Sequence, residues 1–100
     1  MTVYVDDMYL VLMGRFRRMK MSHMIADTEA ELHAMADTIG LSRGWYQGDH
    51  YDVSMSLRAK AIAAGATPIT LRELACMSYF QRRGLPMPKP EDAIAARWRR

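Results

Sequence analysis

Apolar residues recur in two rhythms along this chain, and the switches between them mark out its elements. Thr2–Val5 is a short β-rich apolar run stopped by Asp6 and Asp7, which predicts a buried strand ending at Asp6. Met8–Met13 is apolar without a clear period, and Gly14 closes it. Met19, Met21, His23 and Ile25 then share one parity and Lys20, Ser22, Met24 and Ala26 the other, so a second strand is expected near Met19–Ile25. The period changes at Thr28. Thr28 and Glu31 have the spacing of a capping box, Leu32, Met35, Ala36 and Ile39 repeat at helical intervals, and Gly40 supplies the stop.

Trp45–Gln47 reads as a third short strand, turned by Gly48–Asp49. Ser54 is placed to cap a helix through Leu57, Ala61 and Ile62 to Gly65. Thr67–Ile69 is a brief strand, and Pro68, which has no amide to donate, puts it at an edge. Thr70 and Glu73 form a second capping box before a helix that runs to Arg83 and Gly84. Strands alternating with helices predict an α/β domain over residues 1–84, with a mostly parallel sheet of three or four short strands, right-handed crossovers and flanking helices. Residues 85–100 form a separate unit. Pro86, Pro88 and Pro90 favour an extended linker, Pro90 suits a first helical position, and Ile94 and Trp98 lie on one face of a short basic tail helix. Deleting this tail is expected to leave the domain folded.

One hundred residues make one domain with a modest core. The ten methionines fit an adaptable core filler. Cys76 is the only cysteine, so no intramolecular disulfide forms, as in a reducing cytoplasm, and its helical setting makes it core rather than nucleophile. Asp6 and Asp7 interrupt the first apolar run, so no signal peptide is read, and no apolar stretch is long enough to span a bilayer. A cytoplasmic protein without membrane partners is expected, in a bacterial cell or a phage-infected host. The net charge of +3 is uneven: residues 1–81 carry eight basic and nine acidic side chains, whereas residues 82–100 carry six basic and two acidic. The basicity belongs to the tail.

In a parallel sheet, ligands sit beyond the carboxyl ends of the strands. Asp6 and Asp7 leave the first strand there, and Gln47, Asp49, His50, Tyr51 and Asp52 leave the third. The helix starts at Thr28, Ser54 and Thr70 would face the same rim, where free amides and dipole ends favour an anion such as phosphate. Two chemistries fit. Asp6, Asp7, His50 and Asp52 could hold a divalent metal that polarises a phosphoryl oxygen or activates water. Alternatively, with Asp7, His50 and Asp52 as catalytic residues, His50 is a general base oriented by Asp52 or Asp7. Plainer roles stand beside these: Asp6–Asp7 as a strand-ending turn, His23 as a core histidine among Met21 and Ile25, His33 as a solvated helix flank, and His50–Asp52 as a turn before a helix. The chain has no His-Glu-x-x-His, no cysteine pair, no phosphate-binding Walker loop and no Gly-x-Gly-x-x-Gly.

A second function class rests on other residues. Arg15, Arg17, Arg18 and Lys20 form one basic run, Arg82–Arg83 and Arg97–Arg100 form two more, and Phe16 and Trp98 interleave as stacking groups. A nucleic-acid- or protein-binding accessory module using the basic tail is the alternative to an enzyme.

The strings Val3-Tyr4-Val5-Asp6-Asp7, Ser22-His23, Ala26-Asp27-Thr28, Glu31-Leu32-His33, Gly40-Leu41, Trp45-Tyr46-Gln47 and His50-Tyr51-Asp52-Val53 resemble the domain-of-unknown-function family 4031 of bacteria and their phages. The likeness spans residues 1–75. It implies a compact bacterial or phage protein and brings no established activity. It places Asp6, Asp7, Ser22, His23, Asp27, His33, Gln47, His50, Tyr51 and Asp52 in the family's motif segments, with Ser22, His23, Gln47 and Tyr51 as ligand-contacting candidates. Ser54-Met55 departs from the Thr-Pro with which the family's helix often begins, which affects capping rather than chemistry. The expected function is a phosphate- or metal-binding site, serving a metal-dependent hydrolase or nuclease. In a structural accessory protein the same residues would form a hydrogen-bond network holding loops.

Overall fold

In chain order, the computed structural model contains strands β1 (Val3–Val5), β2 (Arg15–Phe16) and β3 (Met19–Ala26), helix α1 (Glu29–Thr38), β4 (Tyr51–Ser54), α2 (Met55–Ala63), β5 (Thr67–Pro68), α3 (Leu71–Arg82) and α4 (Pro90–Trp98). It describes residues 2–11 and 19–99, and the backbone of 15–16. Most of the expected boundaries appear where the local chemistry put them. Thr28, Ser54 and Thr70 each accept an amide hydrogen bond as helix caps, and Thr70 and Glu73 complete a reciprocal box. At Thr28 the box is altered: its hydroxyl donates to Glu31 Oε1 at 2.8 Å. Gly40 and Gly65 end α1 and α2 with φ of +78° and +110°, a region that costs any residue bearing a Cβ. Gly14, expected to close the Met8–Met13 run, lies outside the described residues.

The sheet corrects the expectation of mostly parallel strands. β3 pairs antiparallel with β1, β2 and β4, and among the described residues only β1 and β5 pair in parallel. The central order is β4-β3-β1-β5, with β2 on the outer end of β3. The reason lies between α1 and β4. Trp45–Gln47 is not a strand: Arg43–Trp45 is a 3₁₀ turn, and the third long-range strand is Tyr51–Ser54. Residues 39–50 return the chain along the length that α1 has just covered, so β4 starts beside the end of β3 and runs back against it. A segment of that length reaches at most about 3.3–3.6 Å per residue, ample for the return. β4, α2 and β5 keep the expected crossover between strands of one direction, and Pro68 sits in an edge strand.

Helices cover both faces. Val3, Val5, Met24, Ala26, Tyr51 and Val53 pack against Leu32, Ala36 and Ile39 of α1 and Ala61 of α2. On the opposite face, Tyr4 and Ile25 pack against Leu74, Cys76 and Met77 of α3, with Ala93 of α4 in the same cluster. Burial on both faces explains why the parity of β3 was ambiguous: Met24, Ile25 and Ala26 are all buried. The tail therefore docks in cis through Ala93, while Trp98 stays exposed. No described helix is long and apolar enough to cross a membrane.

Antiparallel pairing also dissolves the expected common rim. β1, β4 and β5 share one direction and β3 runs against them, so α2 and α3 start at one end of the sheet and α1 at the other.

Candidate metal centre

The polar residues gather in mid-sheet rather than at the strand ends. β3 and β4 place His23 directly opposite Asp52. Both side chains leave the sheet on the α3 face, because their neighbours Met24, Tyr51 and Val53 fill the other side. His50, one residue before β4, brings its ring edge-on to His23, with centroids 5.1 Å apart.

Each imidazole is held from behind by a carboxylate. Asp6, fully buried at the end of β1, accepts from the Met8 and His23 amides through Oδ1 at 3.1 and 2.8 Å. Its Oδ2 stands 2.8 Å from His23 Nδ1. Asp49 Oδ1 lies 2.6 Å from His50 Nδ1, and Asp49 Oδ2 accepts from Arg82 Nε at 2.6 Å. A carboxylate acceptor places the proton on Nδ1 and leaves the Nε2 lone pair free. The Nε2 atoms of His23 and His50 both approach Asp52 Oδ1, at 3.9 and 3.5 Å. Neither contact is a hydrogen bond, and Asp52 Oδ1 is buried with no hydrogen-bond partner among the described residues. Its sister oxygen Oδ2 accepts from Gln47 Nε2 at 2.8 Å, which orients the carboxylate. One ligand atom from each of His23, His50 and Asp52 lies within 4.8 Å of the other two.

Among the histidines and carboxylates gathered here, two titrations are displaced. The Asp6 hydrogen bond raises the pKa of His23 above 6.5, against the opposing effect of burial. Burial pushes Asp49 upward, but hydrogen bonds from His50 and Arg82 outweigh it and hold the carboxyl below its usual range. A cleft of about 590 Å³ beside His50 is bordered by Thr28, Glu29, Tyr46, Asp49 and Arg82.

The structure redistributes the residues singled out from sequence. His50, Asp52 and Gln47 do meet, and His23 joins them as a ring aimed at the centre rather than as a core histidine. Asp6 is not an available metal ligand, since both its oxygens are engaged behind His23. Asp7 is separate: its Oδ1 accepts from the Leu71 amide at 2.7 Å and ties β1 to the start of α3. Tyr51 is fully buried with its hydroxyl against His33 Nδ1 at 2.7 Å, and His33 is half-buried rather than a solvated flank. Ser22 is buried on the α1 and α2 face and accepts from the Tyr9 amide at 3.4 Å. Lys20 is exposed on β3, Arg15 is described by its backbone alone, and Arg17 and Arg18 lie outside the described residues. From sequence Asp49 was placed at the rim without a role, and Arg82 was read only as part of a basic run. The signal for Asp49 was present, an acid directly before His50, but Arg82 reaches it across thirty-three positions, a distance no local pattern reports.

A family model described as "protein of unknown function (DUF4031)" matches residues 3–80, and the chain belongs to that family. No curated protein and no solved structure matches it at a significant level.

Proposed function

We propose that this DUF4031 member binds a divalent transition metal through His23 Nε2, His50 Nε2 and Asp52 Oδ1, and uses it in hydrolysis of a phosphate-containing ester. The observation that carries the reading is the orphaned Asp52 oxygen, faced by two imidazole nitrogens whose far sides are each tied to a carboxylate. A buried carboxylate oxygen with no partner is costly in a stable fold, and a cation is the partner that also satisfies both rings.

Two of the three separations are near what an ion needs. Ligand atoms around a tetrahedral ion with bonds of about 2.0–2.1 Å stand about 3.3–3.4 Å apart. The two nitrogen–oxygen distances, 3.5 and 3.9 Å, close to that value with small ring rotations. Two imidazoles and one carboxylate favour zinc or iron over magnesium or calcium. A metal with three protein ligands keeps a position for water and lowers the pKa of that water toward neutrality. The chain's own part is positioning: Asp6 and Asp49 set the two tautomers, and Gln47 fixes the carboxylate rotation.

The test is titration of metal-stripped protein with Co²⁺, followed by visible absorption, alongside Zn²⁺ calorimetry and hydrolysis of a chromogenic phosphodiester. One ion per chain, lost in His23→Ala, His50→Ala and Asp52→Ala, is the expected result. Absence of d–d bands in the folded wild type would sink the metal reading. Stoichiometric binding without turnover on phosphodiesters would remove the hydrolytic part alone.

A further inference from the structure

The α3–α4 face carries a concentration of positive charge that the metal centre does not use. Arg72, Tyr79, Arg82, Arg83, Arg97 and Trp98 line a groove of about 410 Å³ between the two helices. Tyr79 is sandwiched by two guanidiniums, Arg83 at 3.6 Å and Arg97 at 3.7 Å from its ring centroid. Arg97 also lies 4.4 Å from the Trp98 ring. Arg82 is engaged by Asp49, whereas Arg72, Arg83 and Arg97 make no ion pair among the described residues. Trp98 is 63% exposed.

This arrangement is unusual for a surface that only meets water. Three guanidiniums without carboxylate partners repel one another, and two are held over one ring by cation–π contact instead of being left to spread. That ordering cost is recovered when an anion with repeated charges lies along the groove. The lining contains no acid, and the tail's only acids, Glu91 and Asp92, lie in the first turn of α4, away from Arg97 in its last. The exposed indole supplies what a purely ionic partner would not need, a flat apolar platform beside the cations.

We infer that this groove binds single-stranded nucleic acid, with Arg72, Arg83 and Arg97 on consecutive phosphates and Trp98 stacking an unpaired base. A duplex hides its base faces, and an acidic peptide has none, so the indole selects a single strand. Binding does not require the metal, so the inference stands apart from the hydrolytic reading. Arg82 borders both this groove and the cleft beside His50.

The test is fluorescence anisotropy of the full chain with a labelled single-stranded oligonucleotide, in chelator, across a salt series. Three phosphate contacts predict a slope of about −2 in log K against log salt. Trp98→Ala should weaken binding about tenfold with the slope unchanged. Arg83→Ala with Arg97→Ala should flatten the slope, while Arg83→Lys with Arg97→Lys retains most of it. Circular dichroism of the same variants checks that the fold is intact. Equal affinity for the matching duplex, equal competition by polyglutamate, or indifference to Trp98→Ala would each overturn the inference.

Discussion

Asp6→Asn separates the metal reading from a plain ion-pair network, because it removes one negative charge and turns one acceptor into a donor with almost no change of shape. Asp6 accepts three hydrogen bonds, two from backbone amides and one from His23 Nδ1. The asparagine oxygen can keep both amides. Its NH₂ then faces Nδ1 and can only donate, so His23 must move its proton to Nε2. That nitrogen can no longer ligate, yet it can now donate toward Asp52 Oδ1. Exchanging one charge-assisted hydrogen bond for a neutral one costs roughly 1–2 kcal/mol, partly offset if the new contact forms. A domain with about 5–15 kcal/mol of stability survives that loss. Metal affinity should fall about 10- to 100-fold, the usual effect of removing a carboxylate behind a ligating histidine. Zinc calorimetry measures the affinity, and nitrogen chemical shifts of the His23 ring report the tautomer. If the variant folds, shows the Nε2–H tautomer and still binds zinc as tightly as wild type, His23 is not a ligand and the centre is wrongly assigned.

Two further outcomes test other parts of the structure. The raised pKa of His23 means that its pairing with Asp6 stabilises metal-free protein fully below 6.5, and this contribution is lost as pH rises through the higher folded value. The urea midpoint of wild type should therefore fall toward that of His23→Gln across this range, and a constant gap would show that the pairing does not titrate; metal affinity should rise over the same range, since the ion displaces a proton. Removing residues 85–100 strips Ala93 and its neighbours Met87 and Ile94 from the cluster on α3. This uncovers on the order of 100–150 Å² of apolar surface and should cost roughly 3 kcal/mol in urea unfolding, whereas an unchanged midpoint would mean that α4 adds nothing to the core.

Much of the local architecture was legible in the chain. Thr28, Ser54 and Thr70 marked helix starts, Gly40 and Gly65 marked stops, and Pro68 marked an edge, because each acts through backbone groups within a few residues of itself. The site was legible only in part. His50 and Asp52 stand close in sequence and could be paired by inspection. His23 was harder, because apolar parity neighbours are the ordinary sign of a core position, and here only Ile25 of them is buried, beneath a second layer of helices, while Met21 is half-buried.

Only the tertiary structure decided strand direction and the use made of each acid. Period and capping specify that a strand or helix forms, not which way its partner runs. The return of residues 39–50 set β4 against β3, and that pairing set His23 opposite Asp52. The three helix starts then fell at two ends of the sheet, so a phosphate rim did not form. Asp6 and Asp7 are adjacent and chemically identical. One stands behind His23 and the other holds the start of α3. The residue types at the centre were set by sequence. Their convergence on one unpaired oxygen required long-range pairing, which alone brings atoms from distant parts of the chain to within a few ångströms.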